Sequence, residues 1–257
     1  MTATKINRKA LAPSTDRCLA ILELLSKHPN GLTLSDIHHM LGISKNMIFR
    51  ILNDLTSRGY THKTASKSYS LGNKLLELAV PQTAGKNLVD EAAPEIKALR
   101  DQTGESVGLL VPCDNEAVLI YFQPSRQPIR TIYDVGVKIP LYCNAPGKVF
   151  LAFGDEKERA IRLKQQSFKR FTARTITNPE ILEKQLEVAR EEGYTVDQAE
   201  EIEGSHCVAA PVFDHDGRLV AAIVVTGPLE RITRVKFTDF GKMAAAAAAR
   251  ITLRLKQ

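Results

Sequence analysis

Five side chains between positions 45 and 53 share one stripe. Lys45, Asn46, Phe49, Arg50 and Asn53 recur at i, i+1, i+4, i+5 and i+8, the spacing of a single helix face. Ile48, Ile51, Leu52 and Leu55 recur at i, i+3, i+4 and i+7 and face the opposite way, toward a core. The polar stripe holds what a DNA major groove asks for: Arg for guanine, Asn for adenine and an apolar Phe for a thymine methyl. A phenylalanine exposed among cations and amides is unusual on a plain solvent face. The competing reading is an ordinary helical hairpin with a basic outer face.

A helix that reads bases must be held by others. Thr33 is placed to cap a short helix with Asp36 in a capping-box-like position, and Leu34, Ile37 and Leu41 form its apolar side. Leu41-Gly42-Ile43 is the turn, where Gly42 can take positive φ. Ser44 caps the following helix, which is expected to run to about Arg58. Upstream, Ser14 or Thr15 caps a first helix with apolar positions Cys18, Leu19, Leu22 and Leu25, stopped by His28-Pro29-Asn30-Gly31. Downstream, 60–63 and 67–71 read as strands of a hairpin, with Lys63 and Lys67 set to grip a phosphate backbone. The expected DNA-binding set is therefore Ser44, Lys45, Asn46, Phe49, Arg50, Asn53, Lys63 and Lys67. His38 and His39 have no partner at metal-ligand spacing and read as surface residues.

The charge distribution agrees. The chain of 257 residues has a net charge of +6. Residues 1–75 hold 11 Lys+Arg and 4 Asp+Glu, whereas 76–257 hold 24 and 25. A basic module on a near-neutral body is an electrostatic footprint for nucleic acid or an anionic membrane. No strongly amphipathic basic helix with aromatic apolar residues supports the membrane reading. Hydrophobic content of 44% and charged content of 25% suit a soluble globular protein with an aliphatic core, since there is no Trp. Cys18, Cys113, Cys143 and Cys207 form no CxxC pair, and no run is long enough to span a bilayer. Free thiols in the cytoplasm and no membrane partner are the expectation.

Beyond about residue 80 the pattern changes to mixed α and β. A helix is expected from Pro94 to Thr103. Ser106–Val111 and Ala117–Phe122 read as a hairpin around Asp114-Asn115, and Ile129–Tyr133 as a third strand. Pro146–Phe153 is an apolar helix and a second begins at Asp155. Asn178 caps a helix that starts at Pro179 and ends at Gly193. Strands follow at 194–197, 207–213 and 219–226, the last two joined by Asp214-His215-Asp216-Gly217. A final helix carries Phe237, Phe240, Ala244, Ala247 and Ile251 on one side. Consecutive hairpins with segregated helices argue an α+β class over a parallel sheet. Pro81 and Gly85 mark soft points between the two parts.

These segments resemble the IclR family of bacterial transcriptional regulators over nearly the whole chain. The resemblance rests on Asp16-Arg17-Cys18-Leu19-Ala20-Ile21-Leu22, Ile48-Phe49-Arg50-Ile51-Leu52, Arg58-Gly59-Tyr60 and Tyr69-Ser70-Leu71-Gly72. Further on it rests on Thr103-Gly104-Glu105, Pro140-Leu141, Gly147-Lys148, Arg174-Thr175-Ile176-Thr177 and Glu191-Glu192-Gly193-Tyr194. Gly204-Ser205-His206-Cys207-Val208-Ala209-Ala210-Pro211-Val212 and Asp216-Gly217 complete it. It implies an N-terminal winged helix-turn-helix domain and a C-terminal GAF-like α+β effector-binding domain. The expected division is a flexible basic arm (1–13), a DNA-binding domain (14–74), a linker (75–88) and an effector domain (89–257). It also implies a homodimer, or a tetramer, on a pseudo-palindromic operator in double-stranded DNA.

The resemblance places an effector pocket at Ile139, Asn144, Ala145, Pro146, Asp197, Ser205, Cys207, Val224 and Thr226, for a small organic acid, which includes aromatic, hydroxy and keto acids. Amides and hydroxyls beside an apolar cavity can orient a hydroxy or keto acid. The sequence departs from the family at Pro146, which has no N–H, at Val224, where a serine is frequent, and at His206, where Arg is common. Pro81 interrupts what resembles a linker helix. Cys207 on an apolar strand is either a small core residue or a ligand contact. Glu200, Glu201 and Glu203 read as a solvated acidic loop, one of them available to pair with Lys or Arg. A different class of function is a cysteine-dependent enzyme with Cys207 as nucleophile and His206 as base. Neighbours on a strand point to opposite faces, which counts against that pair. The sequence is therefore read as a regulator without catalytic residues, metal site or cofactor.

Overall fold

The structure, a computed structural model, describes residues 12–64, 67–79, 82–83 and 86–256. The chain divides into two units, 1–80 and 81–257. In the first, helices α1 (Pro13–Ser26), α2 (Leu34–Leu41) and α3 (Lys45–Ser57) precede a hairpin of β1 (Thr61–Lys63) and β2 (Tyr69–Leu71), then α4 (Lys74–Ala79). Ile21, Leu25, Ile37, Ile48, Leu52 and Tyr69 form its core. The hairpin is fastened to the helices through Leu32 and Tyr69, which exchange two backbone hydrogen bonds of 2.8 and 2.9 Å.

Local chemistry explains most of these boundaries. Thr33 accepts from the Asp36 N–H while the Asp36 carboxylate accepts from the Thr33 N–H, a complete capping box. Gly42 takes φ 68, the left-handed turn that only glycine adopts without cost. The start of α1 differs from expectation. Ala12, not Ser14 or Thr15, is its N-cap, and Pro13 opens the helix with φ already set. Its buried side is Ile21 and Leu25, while Leu19 is exposed.

The second unit begins with a small hairpin, β3 (Gln82–Thr83) and β4 (Lys86–Asn87), and helix α5 (Leu88–Thr103). Strands β5 (Ser106–Cys113), β6 (Glu116–Gln123) and β7 (Lys138–Pro140) come next. Helices α6 (Ala145–Phe153), α7 (Glu156–Gln165) and α8 (Pro179–Glu192) follow, then β8 (Thr195–Gln198), β9 (Ser205–Phe213), β10 (Leu219–Pro228) and α9 (Phe237–Lys256). Six strands make one antiparallel sheet in the order β7-β6-β5-β10-β9-β8.

Both sheet faces are covered. Val208, Ala210 and Val212 of β9 turn toward α5 and α9, where Ile96, Leu99, Ala244 and Ile251 pack. Cys207 and Ala209 turn the other way, toward α6 and α8 with Val149, Leu182 and Leu186. This is the expected α+β architecture, with every strand neighbour antiparallel.

Two elements depart from the sequence reading. Helix α5 starts at Leu88, capped by the Asn87 side chain, so Pro94 lies inside it and not at its beginning. The missing Pro N–H costs one helical hydrogen bond, which the packing of Leu88, Ala92 and Ile96 outweighs. Residues 129–133 form no strand; the third strand is Lys138–Pro140, and Ile129 and Ile132 are exposed. A β-branched run is a weak signal for a strand, because strand formation depends on tertiary context. Pro81 and Gly85, the expected soft points, and most of the arm expected at 1–13 lie outside the described residues.

Candidate nucleic-acid interface and effector pocket

Helix α3 presents Lys45, Asn46, Phe49, Arg50 and Asn53 to solvent, and Ile48, Leu52 and Leu55 to the core. Phe49 is 45% exposed, a large apolar surface open to solvent. Ser44 occupies the N-cap position, yet its side chain makes no capping hydrogen bond. Lys45 Nζ donates to Ser35 Oγ at 3.1 Å, which joins the first turns of α2 and α3. His38 is not a plain surface residue: its Nδ1 lies 2.7 Å from the Ile43 carbonyl and braces the turn. In the wing, Lys63 stands opposite Tyr69 with its Nζ 5.6 Å from the ring centre, and Lys67 is exposed with φ 60. The arrangement offers base-edge donors on α3 and cations on the adjoining hairpin.

In the second unit a small cavity of about 40 Å³ opens on the α6 side of the sheet. Its polar floor is a row across three strands. Asp197 of β8 pairs with Cys207 of β9, which pairs with Thr226 of β10. Directly paired residues point to the same face, so these three side chains stand together although far apart in sequence. Cys207 Sγ donates to Thr226 Oγ1 at 3.2 Å. Ile139, Asn144, Pro146, Ser205 and Val224 also line the cavity. Ala145 does not. It is fully buried, and its carbonyl accepts from Thr195 Oγ1 at 2.7 Å.

Sequence reasoning missed several lining residues, two of them polar. Tyr133 lines the cavity with its ring edge-on to Phe122. Glu201 lines it as well and is half-buried. Of the acidic loop only Glu203 is exposed as expected, and Glu200 is the member that pairs with a lysine. Glu200 is 3% exposed, and its Oε1 accepts from Lys148 Nζ at 2.6 Å. The same ammonium donates to Gln185 Oε1 and to the Val196 carbonyl, at 2.9 and 2.8 Å. The signal was present: a lysine in the apolar run Ala145–Phe153 needs a buried acidic partner.

The electrostatics follow from burial. Asp197 is 3% exposed and accepts from the Glu200 N–H at 2.7 Å, but desolvation outweighs this and pushes its carboxyl up to about 7. Desolvation also pushes Glu201 up to about 7. Burial raises the Cys207 and Tyr133 groups too. The expected anion-attracting start of α6 is largely spent. Pro146 has no N–H, and the Gly147 N–H donates to Asn144 Oδ1 at 2.7 Å. The Lys148 N–H donates to the Asn144 carbonyl. His206 Nδ1 lies 2.7 Å from the Ile232 carbonyl, on the sheet face away from Cys207.

Residues 82–253 match the C-terminal domain model of the bacterial transcriptional regulator IclR, and residues 14–65 match the IclR helix-turn-helix domain. The chain belongs to the IclR family. Like the family it is a DNA-binding transcriptional regulator with a helix-turn-helix domain and an α+β domain. It is 33% identical over 237 residues to the IclR-type "DNA-binding transcriptional repressor YiaJ" of Escherichia coli (strain K12), over 91% of this chain and 84% of that protein. Thermotoga maritima IclR superposes with a TM-score of 0.79 at 31% identity, over 95% of this chain and 99% of that one. An IclR homolog from Microbacterium hydrocarbonoxydans, complexed with 4-hydroxybenzoate, has the same fold, with a TM-score of 0.79 and 21% identity over 95% and 99% of the two chains. Among the described residues no helix is long and apolar enough to cross a membrane.

Proposed function

We propose that this IclR-family chain is an effector-gated repressor. Residues 14–74 bind duplex DNA, 75–88 link, and 89–257 bind a small organic acid that changes operator affinity. Ser44, Lys45, Asn46, Phe49, Arg50 and Asn53 enter the major groove, and Lys63 and Lys67 hold the backbone as a homodimer spans a pseudo-palindromic site. The sign of regulation follows the relative YiaJ, whose name describes a repressor.

The observation that carries the effector reading is the buried row Asp197–Cys207–Thr226 beneath an apolar cavity. Among the described residues no Lys or Arg lines it. A ligand carboxylate is therefore received by O–H donors: Thr226, Ser205, and the carboxyls of Asp197 and Glu201 in their protonated forms. The Ser205 hydroxyl is buried without a hydrogen-bond partner among the described residues, which supports such a role. A ligand hydroxyl or keto group suits the remaining acceptors. The homolog complexed with 4-hydroxybenzoate shows that a protein of this fold takes a small hydroxylated acid. Acyl-transfer chemistry at Cys207 is disfavoured, because its thiol is held protonated by burial and His206 faces the other side of the sheet.

The test is fluorescence anisotropy on operator DNA selected in vitro, titrated with small hydroxy and keto acids. An effector shifts affinity by about 1–3 kcal/mol. Cys207→Leu fills the cavity, so it keeps DNA binding and loses the response. A Cys207→Leu protein that responds like wild type would place the ligand elsewhere.

A further inference from the structure

The polar row beneath the cavity has a fourth member that does not line it. Ser106 of β5 is paired with Thr226 of β10, so the row runs Ser106–Thr226–Cys207–Asp197 across four strands, all on one face. Ser106 is fully buried and stands outside the cavity lining. Its hydroxyl is engaged by the segment that joins β6 to β7. Ser106 Oγ donates to the Thr131 carbonyl at 2.8 Å and accepts from the Ser125 N–H at 2.9 Å.

That segment has no regular structure from 124 to 137, and residues 126–130 lie in solvent, so its course is set where it is tied down. At its start, Ser125 Oγ also donates to the Gly104 carbonyl at 2.6 Å. At its end, the Gly136 N–H donates to the Leu119 carbonyl at 2.7 Å, and the Leu119 N–H to the Val137 carbonyl at 3.0 Å. Tyr133 lies between these anchorages, two residues past Thr131. Its ring lines the cavity and meets Phe122 edge-on, with ring centres 5.9 Å apart.

The place of Tyr133 matters because the cavity is small. One water needs about 10–15 Å³ of such space, so the 40 Å³ here admit roughly three. That is the bulk of a short aliphatic acid and well below that of a hydroxylated benzene ring. Most of the wall stands on paired strands, whose spacing the sheet fixes. Tyr133 stands on a tethered loop, so its position is the dimension of the cavity that a single hydroxyl can set.

We propose that Tyr133 selects the effector by size, admitting a short aliphatic hydroxy acid over an aromatic one, and that Ser106 is the positioning residue that holds Tyr133 in place. The proposal rests on this cavity being the effector site. Without the Ser106 hydroxyl, the Ser125 N–H and the Thr131 carbonyl lose their shared partner in a setting closed to most water. The segment then satisfies them by moving outward, and Tyr133 moves with it. The cavity widens although no residue lining it has changed.

The first measurement needs no ligand. The chain has no Trp, so Tyr133→Trp puts a single reporter in the cavity wall. In that background Ser106→Ala is expected to red-shift the emission and about double iodide quenching, with circular dichroism as a check on folding. If Ser106→Ala does not fold, Ser125→Ala removes the Gly104 tie of the same segment and is expected to act in the same direction. Unchanged quenching in a folded variant overturns the anchor. The second measurement is operator binding by the full chain, titrated with lactate and with 4-hydroxybenzoate, which share a carboxylate and a hydroxyl and differ in bulk. Wild type is expected to respond to lactate at about tenfold lower concentration or less. Tyr133→Ala and Ser106→Ala should each narrow that ratio about fivefold, and the double variant should go no more than about twofold beyond Tyr133→Ala, because both act through one side chain. A fixed ratio with both responses weakened makes Ser106 a structural support only and overturns the proposal, as does a wild type that prefers 4-hydroxybenzoate. Silence of every protein toward both acids overturns the selection, while quenching still decides the anchor. A Cys207→Leu protein that keeps the lactate response sinks the pocket reading itself; its loss, with an unchanged ratio in the other variants, sinks only the selection.

Discussion

Lys148 Nζ lies 2.6 Å from Glu200 Oε1, with both side chains almost wholly buried behind the pocket. The ammonium also holds the Val196 carbonyl on edge strand β8, so one side chain ties α6, α8, β8 and the acidic loop together. Lys148→Met leaves Glu200 buried and unpaired and is expected to destabilise the effector unit by about 3–5 kcal/mol. Lys148→Met with Glu200→Leu should recover most of that loss, since an apolar pair of similar volume replaces both charges. Chemical denaturation of the three proteins measures it. Equal stability of wild type and the single variant would show that the pair carries no net weight.

The pocket carboxyls make stability depend on pH. The Asp197 carboxyl is raised from 3.8 to about 7, so the folded chain keeps a proton that the unfolded chain gives up in that range. The stabilising share is fully present below about 4 and is lost as the pH rises through about 7. Glu201, raised from 4.5 to about 7, acts in the same direction. Thermal unfolding of the effector unit should therefore occur at lower temperature at pH 8 than at pH 5. Asp197→Asn should flatten the profile and exceed wild type at pH 8 by about 1–3 kcal/mol. A profile unchanged by the substitution would assign the proton to another group.

The same carboxyls predict proton uptake when an acid binds. Affinity for a carboxylate effector should fall by up to tenfold for each pH unit above about 7 for each proton taken up. Calorimetry in buffers of different ionisation enthalpy reads the proton directly. Tighter binding at higher pH would instead favour a ligand that donates to ionised carboxylates.

Ala199 sits between Asp197 and Glu200 with φ 62, a left-handed conformation that a Cβ disfavours. Ala199→Gly removes that strain and is expected to change stability by less than about 1 kcal/mol, with the relief offset by the greater freedom of glycine in the unfolded chain. Its larger effect should be on the effector response, because the residue links two parts of the pocket wall. An unaltered dose-response curve would show that the backbone here does not move on binding.

At the DNA interface, Arg50→Ala should weaken operator binding by about 1–3 kcal/mol and relax sequence preference. Lys67→Ala should weaken binding to all sequences alike and lower the salt slope by about one. Wild-type affinity in both variants would mean that α3 and the wing hairpin do not form the DNA surface.

The winged helix-turn-helix was legible in the sequence because its determinants are local. The Thr33–Asp36 capping box, the Gly42 turn and the two faces of α3 depend on spacings of one to eight residues, which a helix converts directly into geometry. Most strands and helices of the second unit were legible for the same reason. Of the residues at which the resemblance placed a pocket, all but Ala145 line the cavity, and packing turned Ala145 away. Tertiary structure alone decided the rest. Asp197, Cys207 and Thr226 meet because β8, β9 and β10 pair in one register, and pairing between distant segments leaves no mark in either. It put Glu200 against Lys148 and Glu201 into the cavity, where a run of glutamates by itself reads as solvated. Whether a carboxylate is hydrated or buried depends on what packs over it, and that is a property of the folded chain and not of the segment.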